Sequence, residues 1–150
     1  MDTTDKDTMA PPVDSALARL REAGYKITNA RRTVLEVLCQ DDQHLTSADV
    51  IEQVEARDPG IGRASIFRTL ELLTELAIIR PTYLTPRTPN YIVMPESGHH
   101  AHIICPQCNK ITELGDCEIE DLIAQIAERQ GLEITGHLLE IYGICPDCSD

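Results

Sequence analysis

Two turns of the same Cys-Pro-x-Cys pattern, Cys105-Pro-Gln-Cys108 and Cys145-Pro-Asp-Cys148, constrain this chain more than any other feature. Each offers two thiolates from a tight turn, and four thiolates make a closed tetrahedral site for Zn2+. One ion holding all four requires residues 109–144 to leave a point and return to it, as a small α/β unit does. The competing reading is two separate Cys-x-x-Cys redox pairs; the repeated proline and the lack of a thioredoxin-like setting argue against it. Cys39 falls on the apolar side of a helical pattern and reads as core, while Cys117, beside Asp116 and Glu118, reads as a helix-start residue or a spare ligand. Residues 1–13 are polar, carry Pro11 and Pro12, and contain neither the apolar run of a signal peptide nor a membrane span, so they read as a flexible tail. Cysteines in a chain of this kind are expected to bind metal in a reducing cytoplasm.

The net charge of −12 sits badly with a polyanion as partner until its distribution is considered. Residues 1–90 carry 11 of the 13 Lys and Arg, whereas residues 91–150 carry only Lys110 and Arg129 against 11 acids. The amino-terminal part can therefore present a basic face to DNA while the remainder is repelled by phosphates.

That part reads as helical. Leu17 and Leu20 share a face between Asp14 and Ala23, with Gly24 as the stop; Thr28 caps a helix to about Asp41; Thr46 or Ser47 caps the next, with Val50, Ile51 and Val54 inward. After Pro59-Gly60, the segment Arg63 to Ala77 places Ile66, Leu70 and Leu73 on one side and Arg63, Ser65, Arg68 and Thr69 on the other. This is the arrangement by which a helix-turn-helix enters a major groove. Residues 78–80 and 91–93 read as two short strands joined by a proline-rich connection, a β-wing. The chain is expected to divide near residues 90–96, giving a winged-helix domain over 14–92 and an α/β domain over 97–150, an α+β protein in all. Within the second domain the expected order is strand, strand, a helix over 118–130 with Ile119, Leu122, Ile123 and Ile126 inward, and a strand over 133–142.

The tract His99-His100-Ala101-His102 precedes the first cysteine turn. In a strand, His100 and His102 point one way and His99 and Ala101 the other, so one short stretch can serve two metal sites. A solvated histidine cluster is the bland alternative. Catalysis by zinc needs an open coordination position beside an acid or base. The chain has no His-Glu-x-x-His segment and no His-x-Glu paired with Pro-Cys-x-x-Cys, so it is not expected to be an enzyme or to take a small organic substrate.

Taken in order, the segments 24–31, 44–49, 61–70, 99–108 and 137–145 resemble the ferric uptake regulator family, and the resemblance runs from about Leu17 to Cys148. It implies an amino-terminal winged helix-turn-helix followed by a small α/β dimerisation domain. It also implies a homodimer that represses metal-homeostasis genes from inverted repeats in double-stranded DNA once metal has bound. By position, Lys26, Arg31, Phe67 and Arg68 would approach DNA, together with Arg63 and Ser65 of the same helix face. Phe67 stands where the family more often has Tyr, which removes a hydrogen bond but keeps an apolar contact for a thymine methyl. The structural Zn2+ falls to Cys105, Cys108, Cys145 and Cys148, and the regulatory ion, Fe2+ or Zn2+, to His44, His100, His102 and Glu113. Val93 and Met94 stand where the linking segment of the family has a further ligand, with Glu96 the nearest carboxylate. A peripheral site maps to His99, Glu120 and His137, with Ala101 at the place of a fourth ligand. A peroxide-sensing role is disfavoured by Glu113 in place of an aspartate. The rival classes are a zinc-stabilised protein-interaction module without DNA binding, and a zinc metalloenzyme.

Overall fold

The structure is a computed structural model that describes residues 13–40, 44–85, 87–96, 99–114 and 119–149, with backbone alone at 84, 85, 100 and 113. The expected tail over 1–13, apart from Val13, and the questions raised by Cys117 lie outside the described residues. Two compact units divide between Glu96 and Ser97.

The first unit begins with helices α1 (Val13–Glu22), α2 (Asn29–Leu38), α3 (Ser47–Arg57) and α4 (Arg63–Glu75). Their boundaries follow local chemistry. At Gly24, φ is +87°. The backbone N–H of Tyr25 reaches back to the Leu20 carbonyl, a closure that a Cβ would strain. The Thr28 hydroxyl accepts from the Arg31 backbone N–H at the start of α2. At α3, Thr46 and Asp49 cap each other's backbone N–H groups in a full capping box. The second helix stops at Leu38, three residues short of the expected end, with Cys39 as its C-cap. The buried residues Leu17, Leu20, Val34, Leu35, Val50, Val54, Ile66, Leu70 and Leu73 form one core with Ile78 and with Ile79 and Val93 of the adjoining sheet.

That sheet contains β1 (Leu45–Thr46), β2 (Ile79–Thr85) and β3 (Thr88–Val93), all antiparallel, in the order β1-β3-β2. The proline-rich connection expected between the wing strands is itself mostly strand. Pro81 is accommodated because β2 lies at the sheet edge, and Pro89 because it falls opposite the register irregularity between Thr82 and Thr85. Thr69, expected on the outer face of α4, is instead buried and donates its hydroxyl to the Ser65 carbonyl at 2.8 Å.

The second unit contains β4 (His99–Ile104), β5 (Ile111–Glu113), α5 (Glu120–Gln130) and β6 (His137–Tyr142), in the order β5-β4-β6. β5 is antiparallel to β4, and β6 is parallel to it after the α5 crossover. The expected strand over 133–142 is shortened to His137–Tyr142, the six residues that pair one for one with His99–Ile104 of β4. The inward face expected for α5 is also corrected: Leu122 is exposed, while Ile119, Ile123 and Ile126 are only half-buried. Among the described residues no side chain of this helix is fully buried, so its apolar face is only partly covered. No described helix is long and apolar enough to cross a membrane.

Candidate functional site

Both cysteine turns fold by the same local rules. Pro106 and Pro146 supply the fixed φ that suits the second position of a turn. The Asn109 and Cys148 backbone N–H groups close the turns onto the Cys105 and Cys145 carbonyls at 2.8 and 2.9 Å. Asn109, at φ +59°, takes the left-handed position that asparagine tolerates. Lys110 Nζ donates to Asp147 Oδ2 at 3.1 Å and joins one turn to the other.

The four Sγ atoms all lie within 4.8 Å of one another, with Cys108 and Cys145 at 3.6 Å. Two sulfurs on one tetrahedral zinc, each at about 2.3 Å from it, stand about 3.8 Å apart. The electrostatics fit the same occupant. The Cys145 backbone N–H, 3.4 Å from Cys105 Sγ, and that of Cys108 hold the Cys105 thiol down to about 6. The neighbouring sulfurs of Cys145 and Cys108 push Cys148 up to about 12. Four crowded thiols with opposed preferences become four equivalent thiolates only when a cation sits among them. Cys39 is apart from this group: it packs half-buried against the helical core, where burial raises its thiol to about 11.

The parallel register of β4 and β6 sorts the histidines by face. His99 pairs with His137, their ring centroids 4.5 Å apart, and His99 Nδ1 is 4.0 Å from Glu120 Oε1 at the start of α5. Ala101, buried, faces Leu139 in the register and contributes no donor. One residue further, on the opposite face, His102 is fully buried and paired with Glu140 on one side and, by backbone register, with Glu113 on the other. His102 Nε2 is 3.7 Å from Glu140 Oε1. Glu140 was not among the residues singled out by sequence, because only the start of β6 at His137 reveals which strand face it shares. His44 and Glu96 belong to the helical unit. His44 is half-buried immediately before β1, and Glu96 is exposed, accepting from Ser15 Oγ at 2.7 Å.

On the helical unit, α4 exposes Arg63, Phe67 and Arg68, with Ser65 half-buried. Phe67, the one phenylalanine of the chain, is 47% exposed, an unusual position for a side chain of purely apolar character. Arg68 Nε is 3.2 Å from the Ala64 carbonyl, which leaves its terminal nitrogens directed outward. Arg63 grips Glu55 through Nε and Nη2 at 2.7 and 3.3 Å, so a phosphate would have to compete with that carboxylate. Arg31 is held by the Lys26 carbonyl at 2.6 Å and lies over the Tyr25 ring at 5.5 Å, beside the exposed Lys26.

The model of the ferric uptake regulator family matches residues 22–142. The chain is 34% identical over 133 residues to the ferric uptake regulation protein of Campylobacter jejuni, covering 87% of this chain and 84% of that one. The iron-containing ferric uptake regulator of Francisella tularensis shares 32% identity at a TM-score of 0.61, over 83% of this chain and 95% of that one. The ferric uptake regulator of Helicobacter pylori, whose structure is described as showing three functional metal-binding sites, has the same fold at a TM-score of 0.69 and 24% identity, covering 96% of this chain and 98% of that one. With a helix-turn-helix and wing, a second unit closed by four cysteines, and a family match across both, the chain belongs to the ferric uptake regulator family.

Proposed function

We propose that this protein is a metal-dependent transcriptional repressor that binds double-stranded operator DNA as a homodimer. The observation that carries the reading is the family match across residues 22–142, which takes in the helix-turn-helix, the wing and most of the second unit. The exposed Phe67 and Arg68 of α4, with Lys26, Arg31, Arg63 and Ser65 around them, supply an apolar tip and cationic groups for a major groove and its phosphates. Homodimer formation is supported by the apolar residues the second unit leaves uncovered, Leu122, Ile134, Ile141 and Ile144 among them.

Structural Zn2+ is assigned to Cys105, Cys108, Cys145 and Cys148. The regulatory ion, Fe2+ or Zn2+, is assigned to His44, His100, His102 and Glu113, with Glu96 as the nearest linking carboxylate; the support is the residue types and their order in the chain. The peripheral set is His99, Glu120 and His137, whose approach across β4, β6 and α5 suits a site of incomplete coordination. A regulatory cation contributes differential affinity: bound more tightly by the DNA-competent conformation, it shifts the population toward that state.

The test is elemental analysis of protein treated with a mild chelator, followed by titration with iron(II) or zinc while binding to an inverted-repeat duplex is monitored. One retained zinc per chain and metal-dependent DNA binding are expected. Retained zinc without DNA binding under either metal would overturn the repressor reading in favour of an interaction module.

A further inference from the structure

The face of the second unit that carries His102 holds one group that the assignments above leave unused. His102 stands in the middle of a row across three strands, with Glu113 of β5 and Glu140 of β6 as its register partners. The two oxygens of Glu140 are not equivalent. Oε2 accepts from the Tyr142 hydroxyl at 2.6 Å, which fixes the orientation of the carboxylate. Oε1 is buried and has no hydrogen-bond partner among the described residues, although it lies 3.7 Å from His102 Nε2.

That separation is longer than a charge-assisted hydrogen bond, which closes to about 2.8 Å. It is close to the spacing of two donors on a shared ion: metal–nitrogen and metal–oxygen bonds of about 2.1 Å at a tetrahedral angle put the two ligand atoms about 3.4 Å apart. A buried carboxylate oxygen with no donor is costly to maintain, and a cation beside it removes the cost. A direct contact with His102 would satisfy this oxygen, and the strand backbone does not forbid that, since the two residues face each other in register.

We propose that Glu140 is a ligand of the regulatory cation, contributing Oε1 beside His102 Nε2. The inference rests on the regulatory site assigned above and adds a donor to it from β6. An imidazole joined by carboxylate oxygens suits a divalent cation of iron, zinc or manganese type better than a soft, thiolate-seeking one. The hydroxyl of Tyr142 acts as a positioning group that keeps the free oxygen turned toward His102.

The experiment uses the full chain with its structural zinc retained, titrated with cobalt(II) and followed by visible absorption, for wild type, Glu140→Gln and His102→Ala. Glu140→Gln nearly preserves the shape and still accepts from Tyr142. It is expected to weaken cobalt binding by about tenfold or more with zinc content unchanged. A crystal structure of cobalt-loaded wild-type protein, which does not depend on the variant folding, is expected to place Oε1 about 2.1 Å from the ion. An ion bound to His102 with Oε1 beyond bonding distance overturns the proposal, as does a Glu140→Gln affinity equal to wild type while His102→Ala loses cobalt. Undiminished cobalt binding by His102→Ala would instead bring down the regulatory-site assignment, and this inference with it.

Discussion

Ala77 is the clearest case of a residue under local strain in the helical unit. It follows α4 with φ +54°, where the backbone N–H of Ile78 reaches back to the Leu73 carbonyl in the closure that normally recruits glycine. Its carbonyl is also held by Arg19 Nη2 at 2.9 Å, while Arg19 Nη1 binds the Met94 carbonyl at 2.7 Å. Ala77→Gly keeps both backbone contacts and relieves the left-handed penalty, so stability should rise by about 0.5–1 kcal/mol. A higher urea midpoint at unchanged slope is the expected reading. Arg68 gives a functional prediction at the same scale. Arg68→Ala should weaken binding to all DNA sequences alike and lower the salt dependence by about one phosphate contact. Unchanged affinity in salt-titrated binding assays would remove Arg68 from the interface. Residues were legible in the sequence where their chemistry is local: Cys105-Pro-Gln-Cys108 states its own turn, and the fold brings its sulfurs to those of Cys145 and Cys148. Glu140 was not, because its neighbour His102 is reached only through the β4–β6 register.

Helices were legible through their ends. Thr28, Thr46 with Asp49, and Gly24 each satisfy or terminate backbone groups by themselves, so the sequence places those boundaries closely. Strand limits depend on partners, which explains the two departures. β2 and β3 run through the prolines because an edge and a register irregularity make room for them, and β6 begins at His137, the residue paired with the first residue of β4. The face of α5 was misjudged for a related reason: helical periodicity reports an apolar stripe, but not whether the same chain covers it. β6 is an edge of its three-stranded sheet and exposes Ile141, which makes it the element to test for pairing with a second copy. Wild-type protein should sediment as a dimer and Ile141→Glu as a monomer at micromolar concentration. Equal sedimentation of the two would exclude β6 from the contact.

At the scale of the molecule, the four-cysteine cluster proposed to hold zinc should govern the stability of the second unit. Cys105→Ser should release the metal and destabilise that unit, seen as zinc made available to a chromogenic chelator and as loss of the dimer; full zinc content with an intact dimer would refute the assignment. Protons compete with zinc for the same sulfurs. The Cys105 thiol is lowered to about 6 and the Cys148 thiol is raised to about 12, so without a cation among the sulfurs Cys148 holds its proton at neutral pH. Zinc should therefore be retained at neutral pH and shed as the solution is acidified, with release measured by the same chelator across a pH series. Joining Cys105 and Cys108 to Cys145 and Cys148 also closes a loop over residues 109–144, worth about 4 kcal/mol if a covalent cross-link closed it. This closure has an order in time. The helical unit, complete by Glu96, can fold while the chain is still being synthesised, but the clasp lacks its full set of four sulfurs until Cys148 has left the ribosome. A nascent chain interrupted before that point would carry a finished helix-turn-helix and an open second unit, so metal capture by the four sulfurs would follow the folding of the part that meets DNA in the proposed function.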